Sequence, residues 1–197
     1  MRSSEVARLS FLRLALSGEA GLLLLAWGLS RWLQLTPFSY FHADPAGLLW
    51  GLAGVLPLLA GLAWMLSSSW RPVRQLVALV VEHLGDMLAG QSVGGLAALA
   101  TVAGVSEEVL FRGVVQPGLA RSMPAGLALL VTSLLFGLVH FASRSYAILA
   151  TIMGLYLGIL FQLTGNLLAP VVAHAAYDFA ALLWISRLRA VASDPGP

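Results

Sequence analysis

The sequence GVSEEVLFRG at positions 104–113 places two adjacent carboxylates, Glu107 and Glu108, and the guanidinium of Arg112 inside a long apolar run. An ionisable group at the centre of a bilayer costs roughly 2.5–3.5 kcal/mol on insertion scales. A chain that keeps three such groups there needs internal partners for them or a chemical use. We therefore interpret this stretch as the centre of the molecule, with the rest of the chain arranged around it.

The composition is that of an integral membrane protein. Of the 197 residues, 59% are hydrophobic and 10% are charged, whereas a soluble domain carries about 25% charged residues. The basic residues are all arginine, and they lie mostly at segment ends, where positive charge contacts lipid head groups. We therefore expect the lipid bilayer as a partner and no nucleic acid. The absence of cysteine excludes disulfides, thiol catalysis and cysteine-bound metals.

The apolar runs predict an all-α, polytopic transmembrane bundle that forms a single domain over residues 1–197. The length allows six or seven crossings of about 20 residues each. In the first segment we place the start of the span proper near Glu19, after an interfacial lead-in, and we expect a retained span rather than a signal peptide. We expect a disordered tail from Ala190. The predicted segments are about 9–35, 46–66, 75–91, 96–119, 124–142, 146–163 and 167–188.

The third segment allows two interpretations. Gln75, Glu82 and Asp86 follow each other at spacings of seven and four, so they share one helix face. The segment is either an interfacial amphipathic helix or a span with a polar inner face. Glu82, His83 and Asp86 could form a second site, but we favour a solvated face.

Six ionisable side chains lie well inside the last apolar segments, and in each helix a spacing of four puts two side chains on one face. These i, i+4 pairs can therefore point to a common centre. We expect His140 and His174 to face one cavity. Their meeting near mid-depth requires tilted or kinked helices, and Pro170 could supply a kink. The pairs are Glu108 with Arg112, Phe136 with His140, and His174 with Asp178, and Glu107 completes the group.

The two glutamates cannot share a helix face. Glu108 can reach Arg112 on its own helix, so we assign it as structural support. Glu107 then has no cation on its own helix, and desolvation disfavours a charged carboxylate, which suits a general base near neutrality. We predict Glu107 as the reactive group, and the opposite assignment stays open. Satisfied core histidines and an intramembrane proton path are the alternatives to catalysis, but the inverted repeats typical of transporters are not found in the sequence.

The ordered motifs Glu107-Glu108-x3-Arg112, Phe136-x3-His140 and His174-x3-Asp178 resemble those of the CPBP family, the CAAX prenyl endopeptidases and bacteriocin-processing intramembrane proteases, also called the ABI or type II CAAX protease family. The context from Thr164 to Pro170 is similar as well. The resemblance covers about residues 94–189, which we take as the protease core. It implies a helical bundle around a membrane-embedded cavity and hydrolysis of a peptide bond within or beside the bilayer.

The resemblance also implies a role for each catalytic residue. Glu107 and His140 activate a water, while His174 and Asp178 lie at the substrate carbonyl and stabilise the oxyanion. Glu108, Arg112 and Phe136 support the site. The eukaryotic prenyl-protein proteases have asparagine at the position of Asp178, and an ionised aspartate can only accept a hydrogen bond. Either Asp178 is protonated, or it orients His174 as the donor.

Metal dependence and substrate are open at this stage. His140, His174 and Glu107 would make a catalytic zinc set, and many members of the family are described as metalloproteases. The eukaryotic enzymes resemble metal-free glutamate proteases, and we expect no tightly bound metal here. The expected substrate is a lipidated C-terminus, a small peptide or a membrane protein tail. The alternative to a protease is a non-proteolytic scaffold of the same fold that binds a membrane partner.

Overall fold

A computed structural model describes residues 2–192 of the chain, with side chains for residues 9–188. Within residues 2–192 the chain forms helices and no strand, so the all-α prediction is confirmed. The last helix continues to Ala192, past the predicted start of the tail, and residues 193–197 lie outside the described residues. The helices are α1 (Arg2–Trp32), α2 (Pro45–Ser67), α3 (Arg71–Leu88), α4 (Val93–Leu119), α5 (Ala125–Val139), α6 (Arg144–Thr164) and α7 (Leu168–Ala192).

Five helices are long and apolar enough to cross a membrane, namely α1 from Leu9, α2, α4, α6, and α7 as far as Leu188. The protein is thus a multi-pass membrane protein. The seven helices of the described residues agree with the predicted six or seven membrane-embedded segments, and five of them are candidate crossings. Helix α5 is apolar but has 15 residues, about 22 Å at 1.5 Å per residue, which is less than the ~30 Å hydrocarbon core.

Helix α1 is continuous from Arg2 to Trp32, and the candidate span among its described side chains, Leu9–Trp32, includes Glu19. The carboxylate of Glu19 has an internal partner, the hydroxyl of Ser106 on α4. The start of the span proper near Glu19 stays a prediction.

Helix α3 is not among the candidate spans. The side chains of Gln75, Glu82 and His83 are exposed, whereas Val73 and Leu88 are buried. The buried side of the helix joins a cluster with Ile185 of α7. This pattern favours the interfacial amphipathic helix over the span. Because the polar residues lie on an exposed face, they do not enclose a second site.

Helix α4 lies against α1 on one side and α7 on the other, and it contains a feature that was not predicted. Between Leu110 and Gln116 it passes through a π-helical turn, Phe111–Val115. Such turns occur frequently at functional sites. Past this turn, Gln116 Nε2 donates to the carbonyl of Gly158 at 3.3 Å.

Helix α7 also differs from prediction at one residue. Pro170 lies in the first turn of the helix, where a proline does not interrupt the hydrogen-bond ladder. It therefore supplies no kink before His174, and of the two means considered for bringing His140 and His174 to one depth, a kink at Pro170 is not the one used.

Candidate active site

The predicted pair of Glu108 and Arg112 forms and is fully buried. Arg112 Nη1 donates to Glu108 Oε1 at 2.7 Å, and both side chains have 0% exposure. Arg112 Nη2 donates to the carbonyl of Gly154 on α6 at 2.8 Å. The guanidinium carbon lies 4.9 Å from the centre of the Phe136 ring, a cation–π distance. Arg112 therefore links α4 to α5 and α6 beneath the site.

Glu108 also binds a histidine. Its Oε1 lies 2.8 Å from Nδ1 of His174. Since an ionised carboxylate only accepts, Nδ1 carries the hydrogen of this bond. The other ring nitrogen, Nε2, lies 3.4 Å from Asp178 Oδ2 and 3.9 Å from Glu107 Oε2. Glu108 therefore orients His174, which was one of the two roles considered for Asp178. No local sequence signal reveals this contact, because the two residues are 66 positions apart.

His140 follows the last residue of α5 and approaches Glu107 from the other side. Its Nδ1 lies 2.8 Å from the carbonyl of Phe136, which can only accept, so Nδ1 carries the hydrogen. Its Nε2 lies 3.5 Å from Glu107 Oε2. The ring stacks on Phe136 with 4.5 Å between centres and 27° between planes. Phe136 thus fixes the ring plane and Nδ1 together.

Glu107 is buried, with two imidazoles near one of its oxygens. The distances of 3.5 and 3.9 Å from its Oε2 to His140 and His174 exceed the usual 2.7–3.2 Å of a hydrogen bond. Among the described residues, Oε2 has no hydrogen-bond partner. Other buried side-chain atoms, Glu108 Oε2 among them, also have no partner in the described part of the chain. What distinguishes Glu107 is that its carboxylate lies between two imidazoles.

A cavity of about 380 Å³ lies beside this cluster, and both His140 and His174 line it, as expected. Asp178 lines the cavity too. The rest of the cavity wall consists largely of apolar side chains of α2 and α6, such as Leu62 and Met153. Tyr146 and Tyr177 also line it, and the sequence motifs do not mark them. The structure therefore brings every predicted site residue to one place.

Among the described residues, no group of three or more histidine, aspartate and glutamate side chains is arranged to hold a metal ion. Glu107, His140 and His174, the set considered for zinc, therefore do not form a metal site in this arrangement, and we derive no step through a metal.

Fold and site together define a class: a multi-pass helical membrane protein with a carboxylate–histidine cluster beside an intramembrane cavity. The family model described as Type II CAAX prenyl endopeptidase Rce1-like matches residues 89–180. These residues hold all three motifs, so the resemblance seen in the sequence is confirmed. No curated protein and no solved structure matches the chain. Helices α1–α3 precede the matched residues.

Proposed function

We propose that this protein is an intramembrane endopeptidase that cleaves near the C-terminus of a lipid-linked, membrane-attached protein, with Glu107 as the base. The observation that carries the proposal is the position of Glu107 Oε2, which lies near two imidazole Nε2 atoms at 3.5 and 3.9 Å without a hydrogen-bond partner among the described residues. A scaffold has no need of a buried carboxylate between two imidazoles, because such a group is costly to desolvate.

Water activation would use Glu107 and His140 together. Because Nδ1 of His140 donates to the carbonyl of Phe136, Nε2 of the neutral ring is an acceptor. A water beside Glu107 Oε2 can donate to both groups, which leaves an oxygen lone pair for the substrate carbonyl carbon. Glu107 takes the water's proton as the C–O bond forms, and it returns the proton to the leaving amine as the C–N bond breaks.

Stabilisation of the oxyanion would use His174. With Nδ1–H held by Glu108, the ring can also donate from Nε2 only as an imidazolium. Asp178, at 3.4 Å, accepts from the same Nε2 and holds the ring until the carbonyl oxygen arrives. The proposed role of Asp178 is therefore to hold the donor, while Glu108 sets the tautomer. A single oxyanion donor is worth about 10²–10³ in kcat.

The lining of the cavity supports a lipid-linked substrate. Apolar side chains of α2 and α6, such as Leu58, Leu62 and Met153, form most of its wall, and the ionisable cluster residues that line it are His140, His174 and Asp178. Apolar walls with a few placed polar groups are typical of sites for largely apolar ligands. A lipid chain would lie along the wall while the adjoining peptide reaches the cluster. The family's description as prenyl endopeptidases agrees with this substrate class.

The first test compares wild type with Glu107→Gln in proteoliposomes, with an internally quenched farnesylated peptide ending in a CAAX sequence as the probe. Glutamine keeps the shape but cannot take a proton, so we expect kcat to fall by about 10²–10⁴-fold. Glu82→Gln, on the exposed face of α3, is the matched control and should cleave at the wild-type rate. Wild-type kcat in Glu107→Gln would contradict the proposal.

A cellular comparison identifies the natural substrate. Protein termini are compared in a strain lacking this protein after complementation with wild type or with Glu107→Ala. We expect at least one terminus that appears only with wild type. Identical termini, together with full restoration of any growth defect by Glu107→Ala, would instead support the scaffold.

A further inference from the structure

One carboxylate outside the matched residues contacts the site helix. Glu19 lies on α1, and its Oε2 is 2.5 Å from the hydroxyl oxygen of Ser106 on α4. The distance is at the short end of hydrogen bonds between a hydroxyl and a carboxylate. Ser106 is fully buried and directly precedes Glu107. The proposed mechanism has no use for either residue.

The contact is not needed to satisfy Ser106. Its hydroxyl also lies 2.9 Å from the carbonyl of Val102, one turn earlier on the same helix, which is an adequate acceptor. Glu19 meanwhile lies within the candidate span Leu9–Trp32. An ionisable side chain within an apolar span is costly and is typically kept for a function.

The contact between Glu19 and Ser106 can restrain the rotation of α4 about its axis. Successive helical residues point about 100° apart, so Ser106, Glu107 and Glu108 face different neighbouring helices. Ser106 is bonded to α1 and Glu108 to His174 of α7. Helix α4 is therefore held from two sides, immediately before and immediately after Glu107. Since the contacts of Glu107 itself are 3.5 and 3.9 Å long, the rotation of α4 sets its direction.

We propose that Glu19 is a positioning residue, which fixes the rotation of α4 through Ser106 and thereby the direction of the Glu107 carboxylate. This inference rests on the proposed function. A rotation of about 10° moves a group about 6 Å from the helix axis by about 1 Å. A misplacement of about 1 Å can cost 10²-fold in rate.

The test measures kcat, KM and thermal unfolding in proteoliposomes with the farnesylated CAAX peptide as the probe. Glu19→Leu and Ser106→Ala should each lower kcat about 10–100-fold with KM within about twofold of wild type. The double variant should lose no more than either single variant, because both remove one contact. Glu19→Gln, whose amide can still bond the hydroxyl, should recover kcat to within about threefold of wild type.

Thermal unfolding separates positioning from a structural role. Leucine is close to glutamate in size and suits an apolar span, so Glu19→Leu should unfold at or above the wild-type temperature while kcat falls. Wild-type kcat in Glu19→Leu, losses that add in the double variant, or a loss that follows the folded fraction would each overturn the inference.

Glu107→Gln in the same assay distinguishes a failure of the positioning role of Glu19 from a failure of the proposed protease function. If Glu107→Gln is inactive while Glu19→Leu cleaves at the wild-type rate, only the positioning role fails. If Glu107→Gln cleaves at the wild-type rate, or wild type does not cleave the probe, the proposed function fails and the positioning role fails with it.

Discussion

At the scale of single residues, Glu108 has more partners than any other carboxylate of the site. Its Oε1 accepts from Arg112 at 2.7 Å and from Nδ1 of His174 at 2.8 Å. Removing water from such a pair costs several kcal/mol per ion, and good geometry within the protein has to offset it. Glu108 therefore couples the stability of the core to the orientation of a catalytic ring.

Replacing one member of this pair should destabilise the protein more than replacing both. Arg112→Leu leaves a buried carboxylate without its cation, and we expect a loss of about 3–5 kcal/mol in the free energy of unfolding. Glu108→Leu combined with Arg112→Leu should recover most of that loss but no proteolysis, because His174 loses the acceptor for Nδ1. Unfolding in lipid nanodiscs measures the first effect and cleavage of the CAAX probe the second. An Arg112→Leu protein as stable as wild type would contradict this.

At the scale of elements, the close approach of α4 and α7 positions the site. A Cβ added at Gly104 would lie 2.9 Å from the backbone nitrogen of Ala175. That contact is one turn before Glu108 on α4 and one residue after His174 on α7. The two helices can therefore hold the bond between Glu108 and His174 only while residue 104 has no side chain.

Gly104→Ala should separate the two helices and lower kcat by about tenfold or more, because a misplacement near 1 Å is costly. Overpacking of this kind also destabilises by about 1–3 kcal/mol. Gly28→Ala is the matched control, since no atom lies within 4 Å of a Cβ at that position of α1, and it should be neutral or slightly stabilising. Thermal unfolding and cleavage of the CAAX probe are measured for both variants. If Gly104→Ala had the same unfolding temperature and kcat as Gly28→Ala, the close approach of α4 and α7 at residue 104 would not be required for the site.

At the scale of the whole molecule, the arrangement combines five candidate spans with two helices that do not cross fully. Helix α5 is short, and α3 turns its polar face outward. The short α5 ends at Val139, directly before His140. The end of α5 thus sets the position of His140 in the site.

The position of α3 can be tested by labelling, because the chain contains no cysteine and single cysteines give no background. A membrane-impermeant maleimide should label Glu82→Cys in intact proteoliposomes or in inside-out vesicles. Leu24→Cys, on the exposed apolar face of α1, should react poorly until detergent is added. If Glu82→Cys also reacted only after solubilisation, α3 would lie within the bilayer.

Much of the fold and the membership of the site follow from short-range patterns. The apolar runs locate the helices within a few residues, as for Pro45–Ser67 against the predicted 46–66. The pair of Glu108 and Arg112 follows from helix geometry alone, since a spacing of four places both side chains on one face. The ordered motifs identify the family.

The sequence by itself therefore determined the membrane class, the helices and which residues gather at the site. Only the tertiary structure decided that Glu108 binds Nδ1 of His174, that α4 contains a π-helical turn, and that Glu19 reaches Ser106. The partners in these contacts between helices lie 66 and 87 positions apart. A repeat of 3.6 residues specifies which face of a helix a residue occupies, but the neighbour of that face depends on how all the helices pack together.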